Sequence, residues 1–130
     1  MYRIPIVSVQ LIRERTTPSE VRTISSPQDA YEVFRDWLDP RDRECFAVAL
    51  LDARNKVIGL HVVSIGSLNA SLVHPREAMK AAILANASAI LLAHNHPSGD
   101  PSPSREDLAI TARLKQAGEL LGIAVLDHLV

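Results

Sequence analysis

The stretch SAILLAHNHPSGDPSPSREDL, Ser88 to Leu108, decides how this chain folds. Its first six residues, Ser88 to Ala93, are a short apolar run and read as a buried strand. Pro97, Pro101 and Pro103, with Gly99, then impose a loop. From Glu106 to Leu121 the spacing predicts a helix, with Ile110, Leu114, Ala117 and Leu121 on one face and Gly122 in a C-cap position. A buried strand, a loop and a long helix in succession require a sheet with helices packed on it.

Working outward, the same logic holds on both sides. Cys45 to Leu51 (CFAVALL) is apolar on both faces and belongs in the middle of a sheet. Asp52 to Lys56 turns the chain, and Val57 to Ser64 returns as a partner strand. Pro75 opens a helix, PREAMKAAILAN, whose alanines allow close approach to a sheet, and Ile123 to Leu129 reads as a last strand. Upstream, Ser26-Pro27 is an N-cap followed by proline at the first helical position. Ala30, Val33, Phe34, Trp37 and Leu38 recur at helical spacing from about 27 to 38, and Asp39-Pro40 stops that helix. In the first twenty-six residues, Ile4 to Leu11 reads as a strand broken by Thr16-Thr17-Pro18-Ser19. The expected architecture is α/β: one domain over 27–130 with a central mixed β-sheet covered by helices, preceded by a strand or arm over 1–26.

Composition narrows the class. A length of 130 residues suits one core, and 47% hydrophobic against 22% charged residues excludes a disordered chain. Cys45 is the single cysteine, which excludes a disulfide framework and a cysteine-rich zinc site and fits a reducing, cytoplasmic setting. Fourteen Lys+Arg against fifteen Asp+Glu give a net charge of −1, and Arg41 and Arg43 alternate with Asp42 and Glu44. No basic stripe points to nucleic acid. The opening residues lack the pattern of a secretory signal. The longest apolar stretch, Ala78 to Ala93, contains Lys80, Asn86 and Ser88 and falls short of the roughly 20 residues of a membrane span.

The chemistry gathers behind the buried strand. In extended backbone His94 and His96 point to one side, so two imidazoles can meet one ion. Asp107 lies in the first turn of the next helix. Two neutral imidazoles and a carboxylate suit Zn²⁺, with the fourth tetrahedral position left to water, the pattern of catalytic rather than structural zinc. Such a water has its pKa lowered to about 7 and supplies hydroxide at neutral pH. Ser104-x-x-Asp107 taken alone reads first as a capping box, and an H-x-H taken alone is weak. The capping and metal roles use the same helix start and can coexist.

His94, His96, Pro97, Ser104 and Asp107 match, position by position, the JAMM (MPN) metalloprotease motif of H-x-H-P, six residues, S, two residues, D. The wider text VHPREAMKAAILANASAILLAHNHPSGDPSPSREDLAITARL, followed by GIAVLDHL, resembles the RadC family from about residue 26 to 130. This resemblance implies a three-layer, cytidine-deaminase-like architecture and a single zinc held by His94, His96 and Asp107. It implies that Ser104 stabilises the oxyanion of a tetrahedral intermediate and that a glutamate on an earlier strand handles protons on the zinc water. Glu44, ahead of CFAVALL and about fifty residues before His94, resembles that glutamate in position. Its other reading is a solvent-facing acid paired with Arg41 or Arg43. Glu77, at a helix start beside the site strand, is the rival, although an acid in a first helical turn is ordinary.

The implied activity is that of a zinc-dependent hydrolase, a metallopeptidase or isopeptidase acting on a peptide or isopeptide-linked protein. The alternatives are a non-catalytic metal-binding module and the DNA-repair role that the RadC name suggests, against which the balanced charge counts. H-x-E with P-C-x-x-C, H-E-x-x-H and H-x-x-E-H are absent. Cys45 reads as a core residue, His61 and His74 carry no role, and Asp127-His128 reads as a structural pair or as support for the site. Leu68 to Val73 is an apolar lip suited to pairing two copies. Two departures from the family pattern are the absence of a legible helix-hairpin-helix segment and the stop at Val130, where the family continues after DHL. The expectation is a stand-alone domain whose last strand either lies at a sheet edge or is cut short after Val130.

Overall fold

The computed structural model describes residues 1–38, 44–65, 74–95 and 105–129. Helix α1 (Pro27–Leu38) leads into strands β1 (Cys45–Leu51) and β2 (Val57–Ile65), then helix α2 (Pro75–Leu84), strand β3 (Ala89–Asn95), helix α3 (Arg105–Leu121) and strand β4 (Ala124–Leu129). The sheet order is β2-β1-β3-β4, with β1 antiparallel to both neighbours and β3 parallel to β4. The expected mixed α/β sheet covered by helices is what forms. β1 is buried at every residue because it has a strand on each side and helices above and below.

Side chains alternate across a strand, so β1 and β3 each feed two separate cores. Phe46, Val48, Leu50, Ile90 and Leu92 pack with Ala78, Met79 and Ala82 of α2 and with Ile110 and Leu114 of α3. Cys45, Ala47, Ala49, Leu51, Ala89, Leu91 and Ala93 pack with Ala30, Val33, Phe34 and Leu38 of α1. Small residues on the α1 side let that helix lie close. Cys45 is 1% exposed and serves as a core residue.

The β1–β2 turn is built by Asp52. Its Oδ1 accepts from the backbone N–H groups of Arg54 and Lys56, both at 2.9 Å, and Asn55 takes the left-handed conformation at φ 61°. The carboxyl is thereby held below the ordinary aspartate range, by the Lys56 backbone bond first and the Arg54 one second. Gly122 ends α3 at φ 71°, a C-cap as the sequence suggested.

The expected strand at Ile4–Leu11 is not formed. Residues 1–19 carry no regular structure, and Ile4, Ile6, Val7 and Val9 are each at least 76% exposed. A period-2 apolar pattern makes a strand only where a partner edge is within reach. The first attachment comes later, where Thr23 bridges Lys56 and Ile24 N–H donates to Asn55 O at 2.9 Å. The stop at Asp39-Pro40, the arginines at 41 and 43, the lip over 68–73 and the loop over 97–103 lie outside the described residues. No helix among the described residues is long and apolar enough to cross a membrane.

Candidate metal centre

The alternation that sorts the core also gathers the site. His94 follows Ile90 and Leu92 on β3, so it faces the α3 side of the sheet, opposite Phe46. Glu44, two residues before Phe46, falls on the same side at the mouth of β1. On α3, Asp107 shares a face with Ile110, Thr111 and Leu114, the positions three, four and seven further on. His128 pairs in register with Leu92 on the neighbouring strand and faces the same helix. Four polar side chains from four elements therefore meet at one end of the core on that side.

His94 Nδ1 lies 2.6 Å from Asp107 Oδ1, and the two side chains are 3% and 1% exposed. The contact is a charge-assisted hydrogen bond in a place with almost no water, so Nδ1–H donates to the carboxylate. That directs the other nitrogen, Nε2, to the Glu44 side, where Glu44 Oε2 stands 3.9 Å away. Glu44 is 36% exposed at its side chain and connects the buried pair to solvent. On the far side of Asp107, His128 Nε2 is 4.0 Å from Oδ1. Its Nδ1 is 2.5 Å from Thr111 Oγ1, and its ring meets Phe46 edge-on at 5.6 Å. Burial pushes the His128 imidazole below the usual histidine range, and the Asp107 charge pulls partly the other way.

Of the residues expected from sequence, the structure brings Glu44, His94 and Asp107 together. His96 and Ser104 lie outside the described residues. Glu77 is turned elsewhere: it pairs with Lys80 at 3.0 Å and Arg76 at 3.7 Å on the exposed face of α2. Those cations, Lys80 foremost, hold its carboxyl below the ordinary range. His61 and His74 are exposed. Asp127-His128 divides between its two readings. Asp127 Oδ1 accepts from the His128 backbone N–H at 2.8 Å, while the imidazole is turned inward to Thr111. Adjacent residues of a strand point to opposite faces, so their side chains could not both serve one place. Thr111 is the residue that sequence reasoning missed. Its position four beyond Asp107 on a helix was the available signal.

Whether these groups suit a metal turns on their donor chemistry. Imidazole nitrogen and carboxylate oxygen in a nearly dry pocket are the donors zinc prefers. Among the described residues no three His, Cys, Asp or Glu side chains stand around one point as ligands would. The reason is local: His94 and Asp107 hydrogen-bond each other directly, and the second histidine of the H-x-H lies outside the described residues.

A family model described as RadC-like JAB domain matches residues 24–130. A UPF0758 protein of Caldanaerobacter subterraneus is 50% identical over 115 residues, covering 88% of this chain and 49% of that protein. One from Methanosarcina mazei is 49% identical over 109 residues, with 84% and 48% covered. One from Desulfitobacterium hafniense is 52% identical over 107 residues, with 82% and 47% covered. The chain spans about half the length of the curated relatives it matches.

Proposed function

The chain belongs to the RadC-like JAB domain family, and from that premise we propose that it is a zinc-dependent hydrolase of amide bonds in a peptide or isopeptide-linked protein. The observation that carries this reading is the buried His94–Asp107 pair, 2.6 Å apart, with the Glu44 carboxylate 3.9 Å from the opposite ring nitrogen. A buried imidazole and a buried carboxylate side by side are donors that zinc takes, and binding would replace their direct hydrogen bond with bonds to the ion. His94, His96 and Asp107 would hold the ion. When bound, zinc supplies Lewis acidity and brings the pKa of water to about 7.

The chain's own groups do the rest. Glu44 is the one carboxylate of the cluster with solvent access, so its Oε2 can take the proton of an attacking water and return it to the leaving amine. The Ser104 hydroxyl donates a hydrogen bond to the carbonyl oxygen as charge develops on it, an interaction strongest in the transition state. His94 and Asp107, fixed by mutual burial, keep the centre from collapsing against the sheet. Phe46 and Leu92 beneath them are 1% and 0% exposed and exclude water from below.

The test uses the untagged chain. Elemental analysis is expected to find close to one zinc per chain, lost in His94→Ala and Asp107→Ala. Glu44→Gln is expected to keep the zinc and to lose amide hydrolysis in a peptide-library screen, by roughly a hundredfold or more for a missing general base. Hydrolysis that survives both Glu44→Gln and a chelator would overturn the assignment. Zinc binding with no turnover in any variant would favour a metal-binding module instead.

A further inference from the structure

Between the two histidines of the H-x-H stands Asn95, and it makes a bond that the hydrolytic reading does not use. His94 faces the α3 side of the sheet, so by strand alternation Asn95 falls on the α1 side, in line with Leu91 and Ala93. Its Nδ2 donates to the carbonyl oxygen of Leu38 at 3.3 Å, joining residues 57 positions apart. Leu38 is the last residue of α1, so its carbonyl has no N–H ahead of it in the helix to accept from. Leu38 is also buried, where an unmade bond is costly.

The bond falls where β3 needs a restraint. Along most of its length β3 is held from both sides, by β1 and by β4. The β4 pairing ends with Ala93 opposite Leu129. Beyond it His94 and Asn95 pair with β1, opposite Phe46 and Cys45, and with no second strand among the described residues. The Asn95 amide supplies the lateral tie on that stretch, to a helix end instead of a strand. The other residues on this face of β3, Ala89, Leu91 and Ala93, are apolar. An amide at the end of that series serves hydrogen bonding, since leucine would fill the same space.

We propose that Asn95 is a positioning residue of the metal centre: its amide ties the tip of β3 to the end of α1 and so fixes the strand exit that presents His94 and leads directly to His96. The proposal rests on the reading of those histidines and Asp107 as ligands. Asn95 acts through the backbone and does not touch the ion. Zinc donors must stand about 2.0–2.2 Å from the metal in tetrahedral directions. A loose strand tip has to be ordered when the ion binds, and ordering one backbone residue is worth roughly 5–30-fold in an equilibrium constant.

The experiment measures zinc affinity by competition with a chromophoric chelator, and the visible spectrum of the cobalt-loaded chain, for wild type, H94A, N95L and D52A. Leucine keeps the size of asparagine and cannot donate. D52A removes the acceptor that builds the β1–β2 turn, at the opposite end of β1 from the centre, and serves as a purely structural control. Circular dichroism fixes a temperature at which every variant is folded. H94A is expected to lose stoichiometric zinc, and N95L to bind roughly 5–30-fold more weakly with shifted cobalt bands. D52A is expected to melt earlier while keeping wild-type affinity and bands. If N95L does not fold, N95A is judged by the same two readouts. Affinity within about twofold of wild type and unchanged bands in the Asn95 variant, beside loss in H94A, would overturn this inference and leave the ligands standing. An equal loss of affinity in D52A would also overturn it, because general destabilisation would then account for the effect. If wild type binds no zinc, the ligand reading fails and this inference with it.

Discussion

Replacing Gly118 by alanine tests the joint through which α3 delivers β4, and with it His128, to the centre. On helix propensity alone the change stabilises by about 1 kcal/mol. The structure predicts the opposite sign. A Cβ at position 118 would stand 2.2 Å from the Ile123 carbonyl oxygen and 3.4 Å from Val125 Cγ2. The first of these is backbone and cannot swing aside, so α3 and the start of β4 must separate by roughly 1 Å to reach ordinary contact. That movement strains the bond from Ile123 N–H to Gly118 O, which is 2.9 Å long and seals the turn. Overpacking costs about 1–3 kcal/mol and the weakened bond about 1 kcal/mol. Set against the propensity gain, the net loss is about 2 kcal/mol. For a domain of this size, that is a fall in Tm of roughly 6–10 °C. Urea and thermal unfolding in the presence of a chelator read the loss directly. Leu120→Ala is the control, since Leu120 sits two residues away on the same helix and is 90% exposed. Gly118→Ala at or above wild-type stability would refute the reasoning, because it would mean that the α3–β4 joint yields freely.

Three further outcomes follow from the same geometry. In a double-mutant cycle with chelator present, His94→Ala and Asp107→Ala are expected to couple by about 1–3 kcal/mol, as a buried pair 2.6 Å apart should; additivity within about 0.5 kcal/mol would remove the energetic basis of the pair. Deleting residues 1–18 is expected to leave Tm within about 2 °C, since the arm's large apolar side chains stand in solvent; a drop comparable to that of a core mutant would mean that the arm is bound somewhere. Asp29 Oδ2 accepts from the Ser25 backbone N–H at 2.9 Å and its hydroxyl at 2.8 Å, bonds that hold the carboxyl below the ordinary range, the backbone bond first. A carboxyl depressed in the folded state adds stability above its unfolded pKa and loses it as pH falls through the folded value. Ser25→Ala removes the hydroxyl bond and keeps the backbone one, so NMR titration should show the Asp29 pKa moving only part of the way up towards the model-peptide value.

The zinc-site proposal depends on how a short sequence signature becomes three-dimensional. His94 and Asp107 were legible because strand and helix periods are local: two residues along β3 from Leu92, and three before Ile110 on α3, already assign a face. Glu44 against Glu77 was not decidable that way. Both are acids beside apolar runs, and they separate only when α2 turns Glu77 out to Lys80 while β1 brings Glu44 beside His94. The Ile4–Leu11 pattern misled for a related reason. Alternation describes which face a strand would bury, but hydrogen bonding needs a partner, and this segment has none among the described residues.

By itself the sequence determined the elements from α1 onward, the central place of β1 and the candidate residues on β3 and α3. Those follow from periodicity, from proline and glycine, and from which side chains bind cations. Only the tertiary structure decided who faces whom. It packed His128 of β4 beside Asp107 and Thr111 of α3, and set His94 of β3 against the same carboxylate. Such a choice depends on strand order and register, which bring together groups far apart in the chain and which no local spacing encodes.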